Sequence, residues 1–169
     1  MFREQRVLAI VPARGGSKRL PGKNLHLVAG KPLIAWALEA GAKASAVDRT
    51  VLSTDDDALV ASAVNQGFSD FLIRPAGLAS DDASMTSVIT HAIKELKERG
   101  DDFGYLVLLQ PTSPLRTAQH IDQAFDIMGK KNSLGAVSIC STEHPKEWMS
   151  AISEDGLLDT FFQETQLEY

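Results

Sequence analysis

A three-layer α/β/α domain built on a mostly parallel sheet is the fold class that this sequence predicts, and three observations carry it. Short β-branched apolar runs alternate with longer stretches of helical period, in the order β-α-β-α-β-α-β-α-β. The first run is continuously apolar, as a strand covered on both faces must be. The segments richest in Gly, Pro and charge follow strands, where open α/β sheets bind their ligands.

Each element has its own warrant. Residues 6–12 (RVLAIVP) form an apolar run of strand length. Residues 32–40 read as a helix with Pro32 near its first turn, a position where the missing N–H of proline costs nothing. Residues 50–53 are a second strand, 56–66 a helix ended by Gly67, and 71–73 a third strand. Residues 84–99 carry the clearest amphipathic period, with Met85, Val88, Ile89, Ala92, Ile93 and Leu96 at three- and four-residue spacing and Gly100 beyond. Residues 105–109 (YLVLL) read as a central strand. A helix is expected over 117–128, with Ile121, Ala124, Phe125 and Met128 on one face, and a closing strand over 136–140. Residues 1–140 are therefore expected to form a nucleotide-binding α/β domain. Residues 141–169, with a proline-interrupted polar stretch and Trp148, Phe161 and Phe162 to bury, are expected to be a dimerisation or extension segment of a chain that continues further.

Composition narrows the function. The chain has 169 residues, 17 basic and 22 acidic, a net charge of −5 and one cysteine. Such an acidic chain is not expected to bind nucleic acid broadly. No apolar run is long enough to span a bilayer. A single cysteine, Cys140, permits no intrachain disulfide, which fits a cytoplasmic protein, and its place in a strand points to the core. The four histidines share no metal-ligand spacing, and neither an HExxH nor a Ser/His/Asp hydrolase pattern occurs.

Against this acidic background, residues 5–38 hold six cations (Arg6, Arg14, Lys18, Arg19, Lys23, Lys31) and no carboxylate. Four of the six lie in one run, PARGGSKRLPGKN at 12–24, with three glycines, directly after the first strand. Glycine backbone and several cations suit a polyanion such as a nucleoside triphosphate. The run is not a Walker loop: aligned on Gly22-Lys23 it lacks the first glycine, and Asn24 stands where the metal-binding hydroxyl belongs. No G-x-G-x-x-G is present.

Three further loops complete the candidate site. STDD at 53–56 is read as a helix N-cap ahead of a ligand contact. Arg74-Pro75 puts a cation at a strand end, facing the expected cleft. QPTSPLR at 110–116 is stiffened by two prolines, which hold Gln110 and Arg116 with little entropy left to lose; an amide there suits sugar hydroxyls.

Taken together, PARGGSKRLPGKN at 12–24, STDD at 53–56, RPAGLASD at 74–81 and LQPTSPLR at 109–116 resemble the acylneuraminate (CMP-sialic acid) cytidylyltransferase family, with its pseudaminic and legionaminic acid branches. The resemblance implies a Rossmann-like nucleotide-diphospho-sugar transferase fold. It implies transfer of CMP from CTP to the anomeric hydroxyl of a sialic-acid-like nonulosonic acid, with pyrophosphate released, Mg²⁺ as cofactor and a homodimer. Residue by residue, it implies that Arg14 and Lys23 hold the triphosphate and stabilise departing pyrophosphate, with Lys18 and Arg19 adding general field. Asn24 and Gly15 lie at the nucleotide, Ala13 supplies backbone at the base, and Arg74 and Ser84 belong to the cytidine-side loop. Gln110 meets the sugar acid, and Lys146 reaches into the partner subunit's site. The family's Asp-x-Asp metal pair has no match here; Asp55-Asp56-Asp57 has the spacing but not the place, so the Mg²⁺ ligands are expected beyond Tyr169. Two other readings stand beside this one: a catalytically incomplete CTP-binding or dimerisation module, and a cytidylyltransferase for another sugar acid such as Kdo.

Overall fold

The computed structural model describes residues 1–18, 20–80 and 83–141. Its strands are β1 (Val7–Pro12), β2 (Leu27–Val28), β3 (Lys31–Pro32), β4 (Arg49–Thr54), β5 (Phe71–Ile73) and β6 (Tyr105–Leu108). Its helices are α1 (Leu33–Lys43), α2 (Asp57–Asn65), α3 (Met85–Glu98) and α4 (Ala118–Lys131). The main sheet runs β5-β4-β1-β6 and every pairing in it is parallel. Residues Met1–Ala136 form one compact unit, and a second begins at Val137.

β1 is buried along its whole length, and its side chains divide the interior. Val7, Ala9 and Val11 face a core completed by α1, α2 and α4 through Ile34, Leu38, Leu59, Ile121 and Phe125. Leu8 and Ile10 face the other side, where Val51 and Leu72 meet Ala92 and Leu96 of α3. The period-two alternation of a strand thus places helices on both faces, the three layers expected from the sequence.

Helix ends follow local chemistry. Asp56 caps α2 by accepting from Ala58 N, Ser84 caps α3 by accepting from Ser87 N, and Thr117 with His120 forms a capping box on α4. α2 and α3 end at Gly67 (φ +87°) and Gly100 (φ +86°). The next amides, Phe68 and Asp101, reach back to Ala63 O and Leu96 O, a Schellman closure that requires a left-handed residue.

The amino ends of the strands are pinned by charge. Arg49 grips Asp70 with two bonds of 2.6 and 2.8 Å and also pairs with Asp101, which accepts from Arg6 at 2.7 Å. Asp48 accepts from Val7 N at 2.8 Å and from the terminal amine at 3.1 Å.

The structure corrects the sequence reading in several places. β6 is not central: β1 is, and among the described residues β6 pairs with β1 alone. Residues 136–140 form no strand, and Val137, Ile139 and Cys140 are exposed, so Cys140 is not a core residue. Apolar alternation permits a strand but does not supply the partner that makes one. The β2–β3 hairpin escaped the sequence reading because its two-residue strands are too short to show a period. α4 runs on to Lys131, past the last apolar position of its face. Lys146, Trp148, Phe161 and Phe162 lie outside the described residues. Among the described residues no helix is long and apolar enough to cross a membrane.

Two measurements test this packing. A Cβ on Gly41 of α1 would stand 2.8–2.9 Å from Thr50 and Leu109, so Gly41→Val is expected to cost about 1–3 kcal/mol in urea unfolding by overpacking. The carboxyls of Asp48 (held by Val7 N–H), Asp101 (by Arg6) and Glu39 (by Lys31) all titrate below their ordinary range. A depressed folded pKa stabilises above the unfolded value and loses that stabilisation as pH falls through the folded one. The melting temperature is therefore expected to hold down to about pH 4 and then fall, less steeply in Asp48→Asn.

Candidate active site

Four strand ends converge at the carboxyl edge of the sheet. The chain leaves β1 at Ala13, whose N–H donates to Ser53 O at 2.9 Å, extending the β1–β4 ladder by one bond. Arg74 leaves β5 the same way, its N–H donating to Thr54 O at 2.7 Å. The phosphate-type loop therefore starts from a fixed point.

Within the loop, Gly22 (φ +63°) opens a 3₁₀ turn at Lys23–Leu25. This turn buries Asn24, whose Nδ2 donates to Arg14 O at 3.1 Å and ties the two ends of the loop together. His26 Nε2 donates to Pro21 O at 3.1 Å; a carbonyl can only accept, so the hydrogen is on Nε2. Gly15 is required by crowding: a Cβ there would stand 3.0 Å from Asp56 Cβ and closer still to its carboxylate.

A cavity of about 330 Å³ opens against this loop. Its lining includes Arg14, Lys23 and Asn24 of the loop, Gln110 from beyond β6, and the apolar Met85 and Val88 of α3. A second opening of about 420 Å³, bordered by Arg14, Gly16, Ser17 and Lys18, adjoins it. Five residues singled out from the sequence thus line one cavity: Arg14, Lys23, Asn24, Arg74 and Gln110. A lining that combines cations, an amide and apolar side chains suits a polyanion that carries a flat or sugar-like group.

Other residues sit differently. Ala13 lies behind the cavity with N–H and C=O both bonded, the carbonyl accepting from Arg74 Nη2 at 2.9 Å. Gly15 gives its N–H to Asp55 at 3.4 Å. Ser84 is occupied as the cap of α3. Arg74 lines the cavity yet is only 7% exposed, bonded also to Asp55 at 3.3 Å and Leu78 O at 3.5 Å. Burial lowers its pKa, Asp55 opposes that, and nearby Arg14 adds to it. Arg116 donates to Gln110 O at 3.5 Å without reaching the cavity, its pKa lowered by burial. Sequence reasoning did not single out Ser17 and Thr112, which line the cavity, or the double use of Met85 and Val88 as amphipathic face and cavity lining. The 3–4 period shows that these two are apolar, not what they face.

Among the described residues, the carboxylates near the cavity do not fit a divalent metal. Asp55 is committed to Arg74 and Gly15, and Asp56 to the α2 cap. Among the described residues no three His, Cys, Asp or Glu side chains come together in a metal-holding group. No step is therefore derived through Mg²⁺.

Residues 8–152 match the family model described as Cytidylyltransferase. The chain is 37% identical over 153 residues to CMP-N,N′-diacetyllegionaminic acid synthase of Legionella pneumophila, covering 90% of this chain and 66% of that one. It is 31% identical to pseudaminic acid cytidylyltransferase of Campylobacter jejuni, covering 91% and 66%. It is 33% identical to N-acylneuraminate cytidylyltransferase of Escherichia coli, covering 92% and 36%. The chain thus spans two thirds or less of the length of these relatives. Among solved structures it resembles CMP:2-keto-3-deoxy-manno-octonic acid synthetase complexed with CTP, at TM-score 0.64 and 22% identity, covering 76% of this chain and 49% of that one. It also resembles 4-diphosphocytidyl-2C-methyl-D-erythritol synthase, at TM-score 0.58 and 13% identity, over 75% and 55% of the two chains. At such identities these likenesses establish the Rossmann-like nucleotidyltransferase fold.

Asn24 is the joint that the loop geometry depends on. Asn24→Ala leaves Arg14 O without its donor and is expected to cost about 1–3 kcal/mol in urea unfolding. An unchanged midpoint would show that the loop does not need this bond.

Proposed function

The chain belongs to the cytidylyltransferase family, and from that premise we propose that it transfers CMP from CTP to the anomeric hydroxyl of a sialic-acid-like nonulosonic acid, releasing pyrophosphate. One observation supports the reading: Arg14, Lys23 and Gln110 line a single cavity at the strand ends. In the reaction the sugar hydroxyl oxygen bonds to the α-phosphorus as the bond to the β-phosphate oxygen breaks in line. Negative charge then accumulates on the departing pyrophosphate, and fixed cations stabilise that charge more than they stabilise bound CTP. Arg14 and Lys23 have this role, and Asn24 keeps Arg14 in position through its backbone.

Gln110 lies between the buried Leu109 and the buried Pro111 and is itself exposed, so its backbone is held while its side chain is free to meet the acceptor. The relatives in the legionaminic, pseudaminic and neuraminic branches favour a nine-carbon acid over Kdo as acceptor. A homodimer, a cytoplasmic setting, Lys146 at a partner's site and magnesium in the working enzyme belong to the same reading through the family.

Pyrophosphate release from CTP is expected with N-acetylneuraminic, pseudaminic or legionaminic acid and not with Kdo. Release with none of the three, or equal release with Kdo, overturns the acceptor assignment. Arg14→Ala and Lys23→Ala are each expected to lower kcat by roughly 10²–10³-fold, as the loss of one preorganised electrostatic donor does. A rate equal to the unsubstituted enzyme's removes that residue from the mechanism.

A further inference from the structure

The loop that leaves β1 carries no acid of its own, yet it rests on one supplied from β4. Asp55 Oδ1 accepts from Gly15 N at 3.4 Å and from Arg74 Nη2 at 3.3 Å, and the same Nη2 donates to Ala13 O at 2.9 Å. The ring Ala13–Gly15–Asp55–Arg74 therefore closes on two backbone groups of the loop. Asp55 does not line the cavity, so whatever it does for a ligand it does through the others.

We propose that Asp55 is a positioning residue of the nucleotide site: its carboxylate ties Gly15 to Arg74 and so holds the phosphate loop in its binding shape. The proposal rests on the reading that this loop takes CTP.

Burial and charge argue for it. The Arg74 side chain is 5% exposed and that of Asp55 22%, so the pair is largely withdrawn from water. A buried guanidinium stripped of its carboxylate is strongly disfavoured. Without Asp55, Arg74 would face Arg14, which already works against its charge. Among the described residues, the groups bonded to Arg74 other than Asp55 are carbonyls, Ala13 O and Leu78 O, and its Nε has no partner there. Loss of the carboxylate is therefore relieved by moving Arg74, and Ala13 and Arg14 move with it.

The sign of the effect separates this from simple electrostatics. An acid beside a polyanion site repels the ligand, so neutralising it should tighten binding. A brace predicts the opposite. Substituting Asp57, two residues further on and exposed, removes the same charge without touching the loop.

The test is calorimetry with CTP on the wild-type chain, Asp55→Asn and Asp57→Asn, together with hydrogen exchange of the Gly15 amide without nucleotide. Asp55→Asn is expected to weaken CTP by at least about tenfold, the effect of one hydrogen bond to a charged group, and to speed Gly15 exchange. Asp57→Asn is expected to leave CTP affinity unchanged or tighter. Asp55→Glu, which keeps the charge one methylene away, is expected to show a smaller loss in the same direction and serves if the Asn variant does not fold. CTP binding as tight as wild type, or tighter, in Asp55→Asn or Asp55→Glu overturns the proposal, as does unchanged Gly15 exchange. A wild-type chain that binds no CTP overturns the functional reading instead, and the brace is then decided by the exchange arm.

Discussion

The complete burial of β1 is the constraint from which the rest of this structure follows. A strand with no solvent face must be covered on both sides and paired on both edges, because every one of its peptide groups needs a partner. β4 and β6 supply the edges, and helices supply the covers. α1 lies so close to Thr50 of β4 and to Leu109 that a Cβ at position 41 would clash with both, and glycine stands there. A central strand with parallel neighbours also fixes where its ends can go. The carboxyl end must emerge between the ends of β4 and β6, and the loop carrying Arg14 and Lys23 emerges there.

The two ends of the sheet treat charge in opposite ways. At the amino end Arg6 and Arg49 are matched by Asp70 and Asp101, so the cations are consumed in holding strands together. At the carboxyl end the first loop brings cations without acids, and the nearest carboxylates, Asp55 and Asp56, come from the turn after β4. One is bonded to a guanidinium and the other caps a helix. Counting charges along the sequence registers an excess of six cations over 5–38 but not this division of labour. Arg6 belongs to that count and to the scaffold; Arg14 and Lys23 belong to it and to the cavity.

This division explains what could be read in advance and what could not. The order of strands and helices, their caps and the loops that meet at the cavity follow from period, glycine placement and strand-end chemistry, all local properties. The loop at 12–24 stands out by its charge and glycines and Gln110 by its place after a strand, while it is the family resemblance that picks Arg14, Lys23 and Asn24 out of that loop. Arg74 was read as a cation facing the cleft, and it is there, but its burial and its bond to Ala13 O depend on a residue 61 positions away. Strand order, which puts β1 at the centre and β6 beside it, is likewise a matter of long-range pairing. The stretch 136–140 has the residues of a strand without a ladder, because pairing belongs to two segments and sequence period to one.

The same reasoning bears on why the loop takes the form it does rather than that of a Walker motif. A Walker loop wraps a phosphate in successive backbone amides and leads directly into a helix. Here one of the leading amides, Gly15, is already given to Asp55, and Asn24 is spent on Arg14 O. Part of the loop's hydrogen bonding is thus used to hold the loop, and in the proposed reading the side-chain cations are what meets the anion. Cations on long side chains can follow charge as it moves from a bound triphosphate onto a leaving pyrophosphate, provided that their backbone does not move as well. A loop of this construction gains from being braced at its base, and the brace must come from outside the cation-rich segment, since an acid within that segment would compete with the ligand for the same cations.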